Sequence, residues 1–134
     1  MTKQNGLGRA EKLKSRKLID SLFAVRSSLQ VAPLRVKFRF EPAGSEPARL
    51  QMGVTVSKTH FKKAVDRNRV KRLLREAWRL QKAPLLQQLK LAGRSGIVFF
   101  MYTDRQIADF ATLYTAVGNC ILLLQQKAMH ETTS

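Results

Sequence analysis

The sequence predicts an α+β fold, a two-layer α/β sandwich in which helices cover one sheet. Segments 34–40 and 50–56 alternate apolar and polar residues with the period of two that is typical of strands. Segments 64–81 and 104–127 instead repeat apolar residues at helical spacing, and a continuous apolar run at 97–102 separates them. The predicted order is helix, strand, strand, helix, strand, helix.

The chain of 134 residues has the length of one domain, so we treat 1–134 as a single unit. Residues 1–10 and 129–134 are the segments we regard as candidates for disorder. The first element is a helix over residues 12–26, which places four apolar side chains at helical spacing: Leu18, Ile19, Leu22 and Phe23.

The two predicted strands follow. In the first, apolar residues alternate with Arg35, Lys37 and Arg39, which gives one face of the strand a row of cations. Turn-forming residues fill the connection at 42–47, so we expect the strands to form an antiparallel hairpin.

The second half of the chain starts with a helix from Ala64 or Asp66 to Gln81, for which Asp66 is the predicted N-cap and Pro84 the stop signal. A short helical turn at 85–92 and a central strand at 97–102 come next. The last helix, from Asp104 to about Lys127, has an inner stripe of apolar residues: Phe110, Leu113, Val117, Ile121 and Leu124.

Positive charge is concentrated in two segments. The formal net charge is +16, and residues 58–82 alone carry ten basic and two acidic residues, while residues 1–17 carry six and one. A charged run is often only a solvated helix face, but solubility usually mixes both signs. The focused charge therefore indicates a docking surface for a polyanion, with nucleic acid as the first candidate.

Helical geometry places this charge on one side of the helix at 64–81. The side chains within one arc are Arg67, Asn68, Lys71, Arg72, Arg75, Arg79 and Lys82, and those opposite are Val70, Leu73, Leu74, Ala77 and Leu80. Arg69 lies off the arc. Trp78 falls near its edge, where we favour burial in the core over a base-stacking role. Arginine suits structured phosphate contacts because its planar fork donates two parallel hydrogen bonds.

Other function classes are disfavoured. The two histidines, His60 and His130, have no Cys or carboxylate at ligand spacing, and no paired acidic motif or Ser, His and Asp set appears. We predict no catalytic residue and no metal bound by the protein alone. The sequence has no apolar run long enough for a membrane span, no secretory signal pattern and one cysteine, Cys120, so we expect a cytoplasmic protein without membrane contact.

Two strings of residues resemble the signature of the bacterial ribonuclease P protein component. They are Val54-Thr55-Val56-Ser57-Lys58 and the run from Ala64 to Trp78, which contains Arg67-Asn68-Arg69 followed by Lys71-Arg72. The resemblance implies a fold like that of ribosomal protein S5 domain 2, with a left-handed βαβ crossover. It also implies a subunit of the endoribonuclease ribonuclease P, whose RNA subunit uses Mg²⁺ to remove the 5′ leader from precursor tRNA while the protein assists.

The same resemblance implies roles for individual residues. The catalytic RNA would be contacted by Lys58, Arg67, Asn68, Arg69, Lys71, Arg72, Arg75 and Arg79. A cleft between the first helix and the sheet would hold the single-stranded leader, with Phe23, Phe38, Ile19, Lys12 and Arg16 in it. Ordinary core packing is an equal alternative for Phe23 and Phe38. The loop 59–63 lacks the glycine usual in the family, and we expect Phe61 to pack that loop down.

Two rival functions remain. A ribosomal or ribosome-assembly protein would share the charge and bind RNA without any link to cleavage. A DNA-binding protein would place residues 67–79 in a major groove, but the second basic surface at Arg35, Lys37 and Arg39 argues against it. We expect the free chain to be a monomer and its partners to be the catalytic RNA and precursor tRNA.

Overall fold

The computed structural model describes residues 28–133, and the side chains of residues 28–129. Its four strands are β1 (Ser28–Val31), β2 (Leu34–Pro42), β3 (Leu50–Val56) and β4 (Arg94–Tyr102). Its three helices are α1 (Ala64–Gln81), α2 (Ala83–Ala92) and α3 (Phe110–Thr133). The predicted first helix at 12–26 lies outside the described residues, as do Lys12, Arg16, Ile19 and Phe23.

The strands form one mixed sheet in the order β1-β2-β4-β3. β2 pairs antiparallel with β1 and β4, and β3 pairs parallel with β4. The predicted hairpin between β2 and β3 is therefore wrong, because β4 lies between them. The connection at 43–49 is longer than the usual hairpin turn and spans the width of the inserted strand, which is about 10 Å for two strand spacings. Its ends are tied down by hydrogen bonds from Ala43 N to Gly93 O (2.9 Å) and from Gly96 N to Arg49 O (2.8 Å).

The β1 strand was not predicted. It has only four residues, of which Leu29 and Val31 are half-buried against the core, so its apolar alternation is too short to distinguish a strand from a loop. Pairing with β2 across the turn at 32–33 supplies its backbone partners.

The hydrophobic core lies between one face of the sheet and the described helices. That face carries the alternate residues of β2 together with Val98, Phe100 and Tyr102 of β4. Trp78 is fully buried here, with its ring edge-on to that of Phe100 at 5.5 Å between centroids. The inner stripe predicted for the last helix is buried at Leu113, Val117, Ile121 and Leu124 and partly buried at Phe110. The α+β fold predicted from the sequence is confirmed.

Helix boundaries differ from the prediction at three points. The N-cap of α1 is Lys63, which has an extended backbone and makes no side-chain cap, so the prediction of Asp66 as N-cap is wrong and Asp66 lies in the first turn instead. The α2 helix begins two residues before the predicted turn and is capped at its C-terminal end by Gly93, which adopts the left-handed conformation (φ 65°) that favours glycine. The α3 helix begins at Phe110 rather than Asp104.

The late start of α3 has a local cause. Tyr102 donates a hydrogen bond from its hydroxyl to Gln106 O (2.6 Å) and accepts one from Ala108 N (2.9 Å), which holds residues 103–109 in a loop against the end of β4. Burial is the main cause that raises the pKa of the Tyr102 phenol. The Asp109 carboxylate then accepts a hydrogen bond from Thr112 N (2.8 Å) at the start of the helix.

Candidate nucleic-acid interface

The α1 helix is amphipathic, but its two faces are rotated from those predicted. Its buried residues are Val70, Leu74, Ala77 and Trp78. The interpretation of Trp78 as a core residue is thus confirmed, whereas Leu80, predicted to face inward, is 49% exposed. The large indole, rather than Leu80, decides which side faces the sheet because it buries more apolar area.

This rotation determines which cations are most accessible. Exposed side chains on the outer side are those of Asn68, Arg69, Arg72 and Arg75, which we call the cationic face. Arg69, which the sequence pattern set apart from the basic arc, belongs to this face. Arg67, Lys71 and Arg79 are half-buried. Arg67 and Lys71 lie beside the cationic face, whereas Arg79 lies on its side of the helix, one turn beyond Arg75.

Ion pairing separates these cations into two groups. Arg79 binds the Glu76 carboxylate three residues earlier, with Nε donating to Oε1 at 3.0 Å and Nη2 donating to Oε2. This hydrogen bonding lowers the pKa of Glu76 and raises that of Arg79. Among the residues that the structure describes, Arg69, Arg72 and Arg75 form no ion pair. Their guanidinium groups are therefore available to an external anion.

The loop before α1 is held down from both sides. Arg67 donates from Nη1 to the backbone carbonyls of Phe61 (2.7 Å) and Lys62 (3.0 Å), and Phe61 N donates to Ser57 O (3.0 Å). Phe61 is buried, with its ring 6.0 Å from that of Tyr102, so the expectation that it packs the loop down is confirmed. Part of the hydrogen-bonding capacity of Arg67 is thus used inside the chain.

This loop brings further cations to the N-terminal end of the helix. Lys58, Lys62 and Lys63 are all exposed there. Lys58, a predicted RNA contact, therefore lies in the same loop that Arg67 holds against the start of α1. Helix N-termini carry partial positive charge from unpaired backbone amides, which adds to the local field.

A second basic surface lies on the opposite face of the sheet. Because side chains alternate along a strand, Arg35, Lys37 and Arg39 of β2 point away from the helix-covered core. Their cross-strand partners on β4 are Met101, Phe99 and Ile97, in that order. Arg39 also binds Glu41 at 2.9 Å. The β2 cations therefore lie beside an apolar row on β4. We call this surface, cations and apolar row together, the second sheet face.

Phe38 does not belong to this face. Its side chain is 2% exposed and packs in the core beside Phe40, with 5.6 Å between ring centroids. Of the two roles left open by the sequence, the core role is the one observed, and the cleft assignment of Phe38 is wrong. The reason is strand alternation: Phe38 shares a face with Leu34 and Val36, not with the cations.

The apolar row of the second sheet face was missed. Ile97 and Phe99 are buried yet stand apart from the core cluster between the sheet and the helices. The unbroken apolar run at 97–102 was a usable signal, since a strand that buries both faces loses its alternation.

Within the described part of the chain, no group of three or more His, Cys, Asp or Glu side chains could hold a metal ion. None of the helices in that part is long and apolar enough to span a bilayer.

Comparison with known proteins decides the family. The family model for ribonuclease P matches residues 7–123. A ribonuclease P protein component of Porphyromonas gingivalis is 38% identical over 119 residues, which is 87% of this chain and 85% of that protein. The chain belongs to the ribonuclease P protein family. A relative from Chlorobaculum tepidum, also a ribonuclease P protein component, is 32% identical and covers 91% of this chain and 75% of its own length.

Solved structures of family members share the fold. The RNase P protein from Thermotoga maritima is 25% identical with a TM-score of 0.60, over 83% of this chain and 94% of that one. The Staphylococcus aureus RNase P protein has a TM-score of 0.61 at 18% identity, over 87% and 95% of the two chains. The resemblance found in the sequence is confirmed. The family motif at residues 67–72 lies in the first half of α1 and supplies Asn68, Arg69 and Arg72 to the cationic face. The handedness of the crossover from β3 through α1 and α2 to β4 stays a prediction.

Proposed function

We propose that this chain is the protein subunit of ribonuclease P, and that it binds the catalytic RNA through α1 and the 5′ leader of precursor tRNA through the second sheet face. The observation that carries the proposal is the cationic face, whose three arginines are exposed and form no ion pair within the described residues. Family membership and the names of the relatives, ribonuclease P protein component, support the identity of the partner.

Binding of the catalytic RNA would use the α1 residues in different ways. Arg69, Arg72 and Arg75 bind phosphates directly, and Asn68, also exposed, reaches a ribose hydroxyl or a base edge. Arg67 holds the preceding loop, which positions Lys58 beside the start of the helix. Lys71 adds charge from the margin of the face, and Arg79 adds charge at its C-terminal end once it exchanges Glu76 for a phosphate.

Binding of the leader requires contacts that tolerate any sequence. The β2 cations Arg35, Lys37 and Arg39 supply attraction for a strand backbone, and the neighbouring Met101 is half-buried beside them. A cationic surface next to apolar side chains is the usual way to hold single strands without base-specific hydrogen bonds. Lys12, Arg16, Ile19 and Phe23 complete this cleft in the proposal.

The protein assists the reaction and the RNA performs it. In this proposal the Mg²⁺ ions of the reaction are held mainly by the RNA. We place the assembly in the cytoplasm. The contribution of the protein is electrostatic: its positive charge offsets the repulsion between two polyanions, RNA subunit and substrate, that must approach closely.

Reconstitution tests the proposal. The purified chain is mixed with the ribonuclease P RNA of the same organism at low Mg²⁺, and cleavage of a precursor tRNA is measured. We expect the chain to restore cleavage that the RNA alone does not sustain. No stimulation, combined with equally tight binding to duplex DNA of the same length, would contradict the proposal.

The two proposed RNA surfaces can be tested separately by measuring binding to the same assembled enzyme. Arg35→Gln with Lys37→Gln is expected to weaken binding of precursor tRNA to the assembled enzyme while leaving affinity for the RNA subunit unchanged. Mature tRNA, which has no leader, provides the control because the variant and the original protein should bind it equally within the assembly. Equal losses for both tRNAs would show that the second sheet face does not hold the leader.

A further inference from the structure

A groove lies beside the C-terminal end of α1, where the start of α2 and the middle of α3 meet it. Its volume is about 520 Å³. Apolar side chains make up much of its lining, with Leu80 49%, Tyr114 39% and Leu122 60% exposed. Asn119 and Gln81 add amide groups. Large exposed apolar side chains grouped on one concave surface are typical of a binding site.

We propose that this groove receives an unpaired base of the RNA that α1 binds, stacked against Tyr114. The inference rests on the proposed function and deepens it, because it adds a base-binding subsite to the phosphate-binding face already assigned to α1. Three features of the groove support this occupant.

The first feature is its chemistry. Aromatic rings stack on any base, and amide groups both donate and accept hydrogen bonds, as base edges require. The amide nitrogen of Gln81 donates to Tyr114 O (2.8 Å) and to Ala77 O (3.2 Å), which leaves its oxygen as an acceptor. A Cβ at Gly118 would lie 2.6 Å from that oxygen, so glycine at this position makes room for the amide.

The second feature is the charge of the surroundings. Every residue that lines the groove is uncharged, and between Phe110 and Met129 the α3 helix carries a single formal charge, on Lys127. The nearest carboxylate on α1, that of Glu76 one turn before Leu80, is neutralised by Arg79. A neutral lining suits a base, which is itself uncharged, better than it suits a phosphate. A second copy of a chain with charge +16 would meet repulsion there.

The third feature is continuity with the cationic face. Leu80 lies about 12 Å beyond Arg72 along the helix axis and about 80° around it, and it lies about 7.5 Å beyond Arg75 and about 140° around it. A strand whose phosphate binds Arg72 can therefore reach Leu80 and Tyr114 with a base a few nucleotides further on, by passing about a quarter-turn around α1.

The test compares Tyr114→Ala and Leu122→Ala with Leu91→Ala, a control at an exposed apolar residue of α2 that does not line the groove. Affinity for the ribonuclease P RNA is measured over a range of KCl concentrations. We expect Tyr114→Ala to lower affinity by about tenfold, the size of a lost base–aromatic stack, with an unchanged salt slope because no phosphate contact is lost. Leu122→Ala should give a smaller loss and Leu91→Ala none.

A crosslinking measurement identifies the occupant directly. RNA that contains 4-thiouridine is bound to the unaltered protein and irradiated, and the crosslinked peptides are expected to include Tyr114 or Leu122. Thermal melting of each variant establishes that it is folded. If Tyr114→Ala is unstable, the affinity of Leu122→Ala and the crosslinks decide the question.

Two results would overturn the inference. Affinity equal to that of the control variant, without crosslinks in the groove, would show that no base binds. Loss of self-association in sedimentation with unchanged RNA affinity would assign the groove to a second copy. Failure of the proposed function looks different, because the unaltered protein itself would then show no salt-dependent binding to this RNA.

Discussion

Replacing Arg72 and Arg75 by glutamine removes two neighbouring cations from the middle of the cationic face. Both side chains are exposed and, within the described residues, neither forms an ion pair, so each is available to bind one phosphate. Each phosphate contact makes the negative slope of log affinity against log salt steeper by about 0.7 to 0.9. The double variant should therefore reduce the magnitude of this slope by about 1.5.

A change of this size is measurable. Over a fourfold increase in KCl, the affinity advantage of the unaltered protein over the variant should shrink by about eightfold, because four raised to the power 1.5 is eight. The assay is titration of labelled ribonuclease P RNA at several KCl concentrations. Stability should change by less than about 0.5 kcal/mol in urea unfolding, since the two side chains are exposed and three residues apart on one helix, where like charges repel weakly.

The control removes the same net charge elsewhere. Lys90→Gln with Arg105→Gln replaces two exposed cations, one on α2 and one in the loop before α3. If this variant changed the slope as much as the first, overall charge rather than the cationic face would account for binding, and the assignment of α1 would be refuted. An unchanged slope in the Arg72 and Arg75 variant would refute it as well.

Three other substitutions and one measurement on the unaltered protein test separate parts of the structure. Glu76→Gln releases Arg79, so RNA affinity should rise and the salt slope should steepen by about 1, as measured by the same titration. Arg67→Ala removes two hydrogen bonds that hold the loop before α1, and amide exchange at Phe61 should become faster without global unfolding. Trp78→Ala should cost about 3 to 5 kcal/mol in urea unfolding because it empties a fully buried site. Burial raises the pKa of the Cys120 thiol from 9.0 to about 12, so the folded protein should resist iodoacetamide at pH 8. Because the thiolate forms more easily in the unfolded chain, the contribution of Cys120 to the free energy of unfolding is intact below pH 9 and falls as pH rises toward 12. Unfolding curves at pH 8 and pH 10.5 would reveal this decline.

Local patterns in the sequence determined the larger elements and their chemistry. Periodicity located α1, the inner stripe of α3 and the strands β2 and β3, because an element that buries one side records that side in the spacing of its apolar residues. The strand β4 was located instead by its continuous apolar run. The charge pattern located the basic surfaces on α1 and β2, and the motif at residues 67–72 pointed to the family that the comparisons confirm.

Strand order and the exact faces were decided only by the tertiary structure. Whether β2 pairs with β3 or with β4 depends on contacts between residues more than fifty positions apart, and no local pattern records them. The same holds for Phe38, whose core position follows from which sheet face the helices cover, and for Leu80, which the larger Trp78 displaces toward solvent. Residue spacing determines the period of an element. Its orientation and its neighbours depend on the packing of the whole chain, because the apolar area exposed to water is minimised over all elements together.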